Sequence, residues 1–289
     1  MTGPMNILDH TACELGEGAF WHPGRQEFFW FDIIGRRLYA HDGNRVTARD
    51  LPRLFSAMGW IGGDEVLLSG EEGLCRYDLA NGALTPLAAI EADRADTRSN
   101  DGRADPWGGF WASAMGRKAE AGAGSIYRYY RGELRRLHGG LTIPNAICFD
   151  GARNLAYFAD TASKRIFRQP LDAATGWPSG AAELFLDLTD AGLNPDGAVT
   201  DAEGNLWNAT WGAGLVICYS PEGKRLRSVA VPARQSSCPA FGGPGLTTLY
   251  VTSAYENMDE KARAEDAHAG KTFHLDIGIP GLPAPRFIP

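Results

Sequence analysis

No apolar run in this 289-residue chain approaches the roughly 18 residues of a membrane-spanning helix, so no membrane partner is expected. Positive charge is not in excess either. The formal net charge is −7 and the isoelectric point is near 5.4, whereas nucleic-acid binders carry a basic face, so no nucleic-acid partner is expected. The five cysteines, Cys13, Cys75, Cys148, Cys218 and Cys238, include no C-x-x-C pair, and an odd number cannot all pair within one chain. Reduced thiols in a reducing compartment fit this best. Met1 to Thr11 lack a basic cluster followed by an apolar core, so neither a secretory signal nor a transit peptide is read, and the cytoplasm is the expected location. G-x-S-x-G, H-E-x-x-H and the P-loop are all missing, which leaves serine-hydrolase, zincin and nucleotide-phosphate chemistry without their signatures.

What the chain does have is turn formers and short strands. Its 36 glycines, 17 prolines and eight tryptophans, with 44% hydrophobic residues, suit many short strands joined by tight turns around a buried core. Short alternating or apolar runs recur, among them Phe28–Asp32, Arg37–His41, Glu65–Ser69, Leu74–Asp78, Ser125–Tyr130, Leu155–Ala159, Leu206–Ala209 and Thr248–Thr252. Each has strand length and is too short for an ordinary helix. Asp42-Gly43-Asn44, Asn81-Gly82, Asp150-Gly151 and Glu203-Gly204-Asn205 separate them as hairpin turns. The hairpins group into a longer unit that opens near Glu17, Met58, Asn100, Asn145, Asp196 and Pro239, a period of roughly 40–50 residues. That period predicts an all-β, six-bladed β-propeller with four-stranded antiparallel blades around a central channel, in a single domain over residues 1–289. A β-sandwich with a long meander is the structural alternative.

In a propeller the first strand of each blade borders the channel, so equivalent positions of different blades approach one another. Leu15-Gly16-Glu17-Gly18, Ser99-Asn100-Asp101-Gly102, Ile143-Pro144-Asn145-Ala146 and Asn194-Pro195-Asp196-Gly197 each carry an oxygen-bearing side chain at the opening of the repeat. Any one of them alone reads as an ordinary turn. Their common phase points instead to one polar site.

These segments, with Trp21-His22-Pro23, Arg98-Ser99-Asn100-Asp101-Gly102, Phe241-Gly242-Gly243-Pro244 and Leu249-Tyr250-Val251-Thr252-Ser253-Ala254, resemble the SMP-30/gluconolactonase/LRE family in order from about Cys13 to about Ser253. The resemblance implies a six-bladed propeller that hydrolyses sugar-acid lactones with one divalent cation. It further implies that Glu17, Asn145 and Asp196 bind the metal, that Asp196 is also catalytic, and that Arg98 and Asn100 hold the substrate. One position departs from the pattern. Where some members have a substrate-contacting Glu, this chain reads Met115-Gly116-Arg117-Lys118, placing Lys118 there unless Glu120 reaches the same region through a shifted loop.

The residue types permit that chemistry on their own terms. Two carboxylates and an amide carbonyl favour Ca²⁺, Mg²⁺ or Mn²⁺ by hardness, and the lack of His or Cys in the set argues against a conventional zinc site without excluding Zn²⁺. Asp196 could take a proton from an attacking water, Arg98 could fork to substrate oxygens, and Asn100 could donate and accept. Two further classes stay open: a propeller hydrolase of other esters or organophosphates, and a calcium-binding protein without turnover. His22 reads as a turn residue packed on Trp21. Trp107, Trp111, Trp207 and Trp211 read mostly as blade packing. Residues 259–266 read as a short helix or a flap with a solvated face.

Overall fold

Six leading strands, Gly16–His22, Phe55–Gly62, Thr97–Ala104, Pro144–Asp150, Asn194–Thr200 and Ser236–Gly242, each open a four-stranded antiparallel sheet in a computed structural model that describes residues 4–289. Their starts follow the roughly 40–50-residue period of the sequence. The sheets are the blades of a six-bladed β-propeller, numbered here one to six in chain order. The chain divides into two compact units. Blades one, five and six lie in the unit formed by the chain up to Pro52 together with Asp190–Pro283, and blades two, three and four in Arg53–Thr189 with Ala284–Pro289.

The first two strands of each blade are the deeply buried ones, and in the second strand this goes with a continuous apolar composition. In Glu27–Asp32, five of six residues are buried, with Trp30 stacked on Phe28 at 5.4 Å and on Tyr39 of the third strand at 5.2 Å. Trp111 and Trp207 sit in the second strands of blades three and five, fully buried as the packing reading expects. Outer strands behave oppositely: Val46–Asp50 and Arg225–Ala230 are mostly exposed, so nothing forces an alternating pattern on them.

Blade six is completed from the other end of the chain. Asn6–Asp9 pairs with Thr272–Asp276, with Asn6 opposite His274 and Ile7 opposite Phe273. The charged stretch after Met258 forms an α-helix, Glu260–Glu265, whose N-cap Asp259 accepts the Ala262 N–H at 2.8 Å. His22 ends a leading strand rather than occupying a turn. Its ring lies 6.2 Å from those of both Phe20 and Phe29, and its Nδ1 accepts the Arg25 N–H. Among the described residues, no helix is long and apolar enough to cross a membrane.

Candidate active site

Every leading strand breaks its ladder at the same place. Pairing to the second strand skips residues after Glu17, Phe55, Ser99, Asn145, Pro195 and Ser236, so each strand carries a bulge near its start. A bulge releases backbone groups from the ladder and re-aims a side chain. Four of the predicted site residues fall on these bulges in two registers one residue apart. Glu17 and Asn145 are the last paired residues, and each is followed by a left-handed residue, Gly18 at φ 61° and Ala146 at φ 55°. Asn100 and Asp196 occupy the next position, inside the bulge itself. Left-handed backbone is unfavourable for alanine, by about 1 kcal/mol, so its presence at 146 marks a shape that the surroundings impose.

In the unit of blades two to four, three predicted residues form one hydrogen-bonded chain. Arg98 Nη1 donates to Asn100 Oδ1 at 2.9 Å and to Ser99 O at 2.9 Å. Asn100 Nδ2 donates to Asn145 Oδ1 and to Pro144 O, both at 2.9 Å. Asn145 Nδ2 continues to Thr161 Oγ1 at 2.9 Å. Both hydrogens of the Asn100 amide are therefore engaged within the protein, and the second lone pair of its Oδ1 is what it can still offer as an acceptor. Asp101 completes the clamp: Oδ2 accepts the Ile147 N–H at 2.7 Å and Oδ1 the Gly102 N–H at 2.8 Å. Burial pushes the Asp101 carboxyl above the usual range, with Arg103 opposing. Ser56 Oγ donates to Asn100 O, which ties blade two to the same bulge.

In the unit of blades one, five and six, Glu17 and Asp196 lie on strands that both pack against Ser237-Cys238 of blade six. Ser237 Oγ donates to Gly16 O, and a Cβ at Gly197 would come within 2.9 Å of Ser237 O and Cys238 Cα. Glycine next to Asp196 is thus required by close approach. Glu17 Oε2 accepts the Gly18 N–H at 2.9 Å. Glu17, Asp196, Asn145, Arg98 and Asn100 are all between 5% and 8% exposed, so none is an ordinary surface group. Arg98 is not a surface ion-pair partner of Asp96; that carboxylate is exposed and meets Arg94 at 2.9 Å.

Lys118 and Glu120 sit apart from this buried chain. Both are exposed on the turn after Phe110–Gly116, and the Glu120 carboxylate accepts the Lys118 backbone N–H at 3.0 Å. Among the described residues, no group of three or more His, Cys, Asp or Glu could hold a metal. An oxygen set of two carboxylates and one amide is a different kind of site. Thr161, Ser113 and Asn208 were not singled out in the sequence, and Asp101 only as part of its motif. Of these, Asn208 has a legible signal, an amide in the middle of an apolar strand between Trp207 and Ala209.

Residues 15–255 match the family model for the SMP-30/gluconolactonase/LRE-like region, and the chain belongs to this family. A Rhizobium meliloti (strain 1021) relative, provisionally named a sugar lactone lactonase, is 42% identical over 97% of this chain and 96% of its own. The L-arabinolactonase of Azospirillum brasilense is 35% identical over 99% of this chain and 96% of its own. The crystal structure of a calcium-binding protein, regucalcin, from Agrobacterium tumefaciens str. C58 superposes with a TM-score of 0.97 at 41% identity, covering 100% of this chain and 98% of that one.

Proposed function

We propose that the protein hydrolyses the ester ring of a sugar-acid lactone, with one divalent cation held by Glu17, Asn145 and Asp196. The carrying observation is the shared bulge: all three residues, and Asn100, stand at the same local break of the leading strand in four different blades. Relatives named for lactonase activity on several sugar lactones support the substrate class. The donor chemistry fits a hard cation, since Glu17 and Asp196 supply anionic oxygens and Asn145 adds a neutral carbonyl oxygen. Ca²⁺, Mg²⁺ and Mn²⁺ suit such oxygens, with Zn²⁺ the softer alternative. When bound, the cation supplies Lewis acidity toward the lactone carbonyl and eases loss of a proton from water.

The chain's own residues do the rest. Asp196 takes the proton from the water that attacks the acyl carbon, while the acyl–oxygen bond of the ring breaks and the ring oxygen leaves as a hydroxyl after protonation. Arg98, oriented through Asn100 Oδ1, presents its guanidinium to substrate oxygens. Asn100 fixes Asn145 and Pro144 and offers substrate an acceptor. Lys118, or Glu120 beside it, biases the choice among hydroxyl patterns. A calcium-binding role without turnover is the second reading, favoured by the name of the Agrobacterium neighbour; a buried arginine wired to the Asn100 amide has no use in it. A pH-stat assay over a panel of pentono- and hexonolactones, with a chelated control, tests the proposal. Acid release that stops on chelation and returns with a divalent ion is expected, and no release from any lactone refutes it.

A further inference from the structure

Asn208 stands in the middle of the second strand of blade five, between fully buried Trp207 and Ala209, and is itself 0% exposed. An amide in such a place is costly unless its polar atoms are bonded. Its Nδ2 donates to two successive backbone carbonyls, Asp196 O at 2.8 Å and Gly197 O at 3.1 Å. These are the two residues that the ladder skips between the pairs Pro195–Thr210 and Ala198–Asn208. Carbonyls of successive residues in a regular strand point to opposite sides, so one amide that reaches both is a device for this bulge. On its other side the bulge is pressed against Ser237-Cys238, where no Cβ fits at Gly197. Asn208 Oδ1 is buried and has no hydrogen-bond partner, so the hydrogen bonds this amide makes go to the Asp196 segment. In blades three and six the second strand supplies a hydroxyl in place of this amide, and it bonds one bulge carbonyl: Ser113 Oγ donates to Asp101 O at 2.7 Å, and Thr252 Oγ1 to Cys238 O at 3.2 Å.

We infer that Asn208 is a positioning residue for Asp196: by gripping the carbonyls of residues 196 and 197 it sets the direction of the Asp196 carboxylate, and through it both cation affinity and proton transfer. The inference rests on the reading of Asp196 as ligand and base. The amide is not a packing choice, since its Oδ1 is buried without a partner; what it contributes is the pair of bonds to the Asp196 segment.

The test uses Asn208→Leu, Asn208→Ser, Asp196→Ala and the Asn208→Leu/Asp196→Ala double variant of the full chain. Thermal unfolding, Mn²⁺ binding by titration calorimetry, and kcat and KM on an active lactone are measured for each. Asn208→Leu is near-isosteric and discards the orphaned oxygen but leaves the carbonyls of Asp196 and Gly197 without this donor, so its unfolding temperature is expected to fall by several degrees with the variant still folded at the assay temperature. Its kcat is expected to fall at least tenfold at saturating Mn²⁺, with KM within about threefold and Mn²⁺ binding several-fold weaker. Asn208→Ser, with one O–H for two carbonyls, should recover part of the loss. In the Asp196→Ala background, Asn208→Leu should cost nothing further in residual turnover. Wild-type kcat and Mn²⁺ affinity in Asn208→Leu overturn the inference, as does an equal loss in the Asp196→Ala background. Should the leucine variant not fold, Asn208→Ser decides: partial loss supports the assignment, and wild-type values overturn it. If Asp196→Ala itself keeps full activity, it is the reading of Asp196 that fails, whatever Asn208 does.

Discussion

Replacing Asn100 with alanine removes three buried hydrogen bonds at once: the one it accepts from Arg98 Nη1 and the two it donates, to Pro144 O and Asn145 Oδ1. The bond from the guanidinium is worth about 1.5–3 kcal/mol and the two neutral ones about 0.5–1.5 kcal/mol each. Part of this is recoverable, since Arg98 keeps Ser99 O and Ser113 Oγ already stands 3.5 Å from Pro144 O. A net loss of roughly 3–4 kcal/mol is the expectation. For a domain of this size that lowers the unfolding temperature by about 6–10 °C. Asn100→Asp separates the contributions. It keeps an acceptor for Arg98 but turns lone pairs toward Pro144 O and Asn145 Oδ1, so it should be at least as destabilising near neutral pH. Scanning calorimetry of the three proteins, with lactone turnover measured well below the transition, is the assay. A fall of less than about 2 °C in Asn100→Ala would show that the Arg98–Asn100–Asn145 chain does not hold the segment together.

Asp196→Asn keeps a ligand oxygen but loses basicity, so kcat should drop by about 10²–10⁴ while Mn²⁺ affinity, read by calorimetry, falls less; near-normal turnover with metal bound would make Asp196 a replaceable ligand. Arg98→Ala should weaken turnover by about 1–3 kcal/mol in kcat/KM with ion affinity nearly intact, and equal loss of both would place Arg98 in support of the metal ligands. Lys118→Glu should reorder a panel of pentono- and hexonolactones, and an unchanged ranking would show that Lys118 points away from substrate. Burial lowers the His138 pKa from 6.5 to about 4, so its neutral form is the native one. Its contribution to stability is present above pH 6.5 and is lost as pH falls from there through 4, because the unfolded chain binds a proton in that window. His138→Leu should flatten the acid limb of the unfolding temperature against pH, and an unchanged limb would contradict this.

The sequence revealed most where burial dictates composition. Second strands such as Glu27–Asp32 and Leu155–Asp160 are buried on nearly every residue and read as strands from their apolar runs. Arg225–Ala230 and Glu183–Asp187 face solvent, carry no pattern, and were not assigned from sequence. Asn6–Asp9 was missed for another reason: its partner Thr272–Asp276 lies at the far end of the chain, and no local signal encodes that pairing. Leading strands were legible as turn-like motifs rather than as strands, because the bulges place Gly, Pro and Asn in them. The phase of Glu17, Asn100, Asn145 and Asp196 was visible in the sequence, yet its split into two registers one residue apart was not, since that depends on the left-handed backbone at Gly18 and Ala146. The role of Asn208 was hidden because its partners are main-chain carbonyls, whose direction no side-chain pattern records.

The proposal that Glu17, Asn145 and Asp196 share one cation is tested most directly by crystals of the protein soaked in Mn²⁺ and measured at the manganese edge. A single anomalous peak is predicted, with one side-chain oxygen of each of the three residues within roughly 2.0–2.6 Å of it. A peak bound elsewhere, or one that leaves any of the three outside coordinating distance, would contradict it.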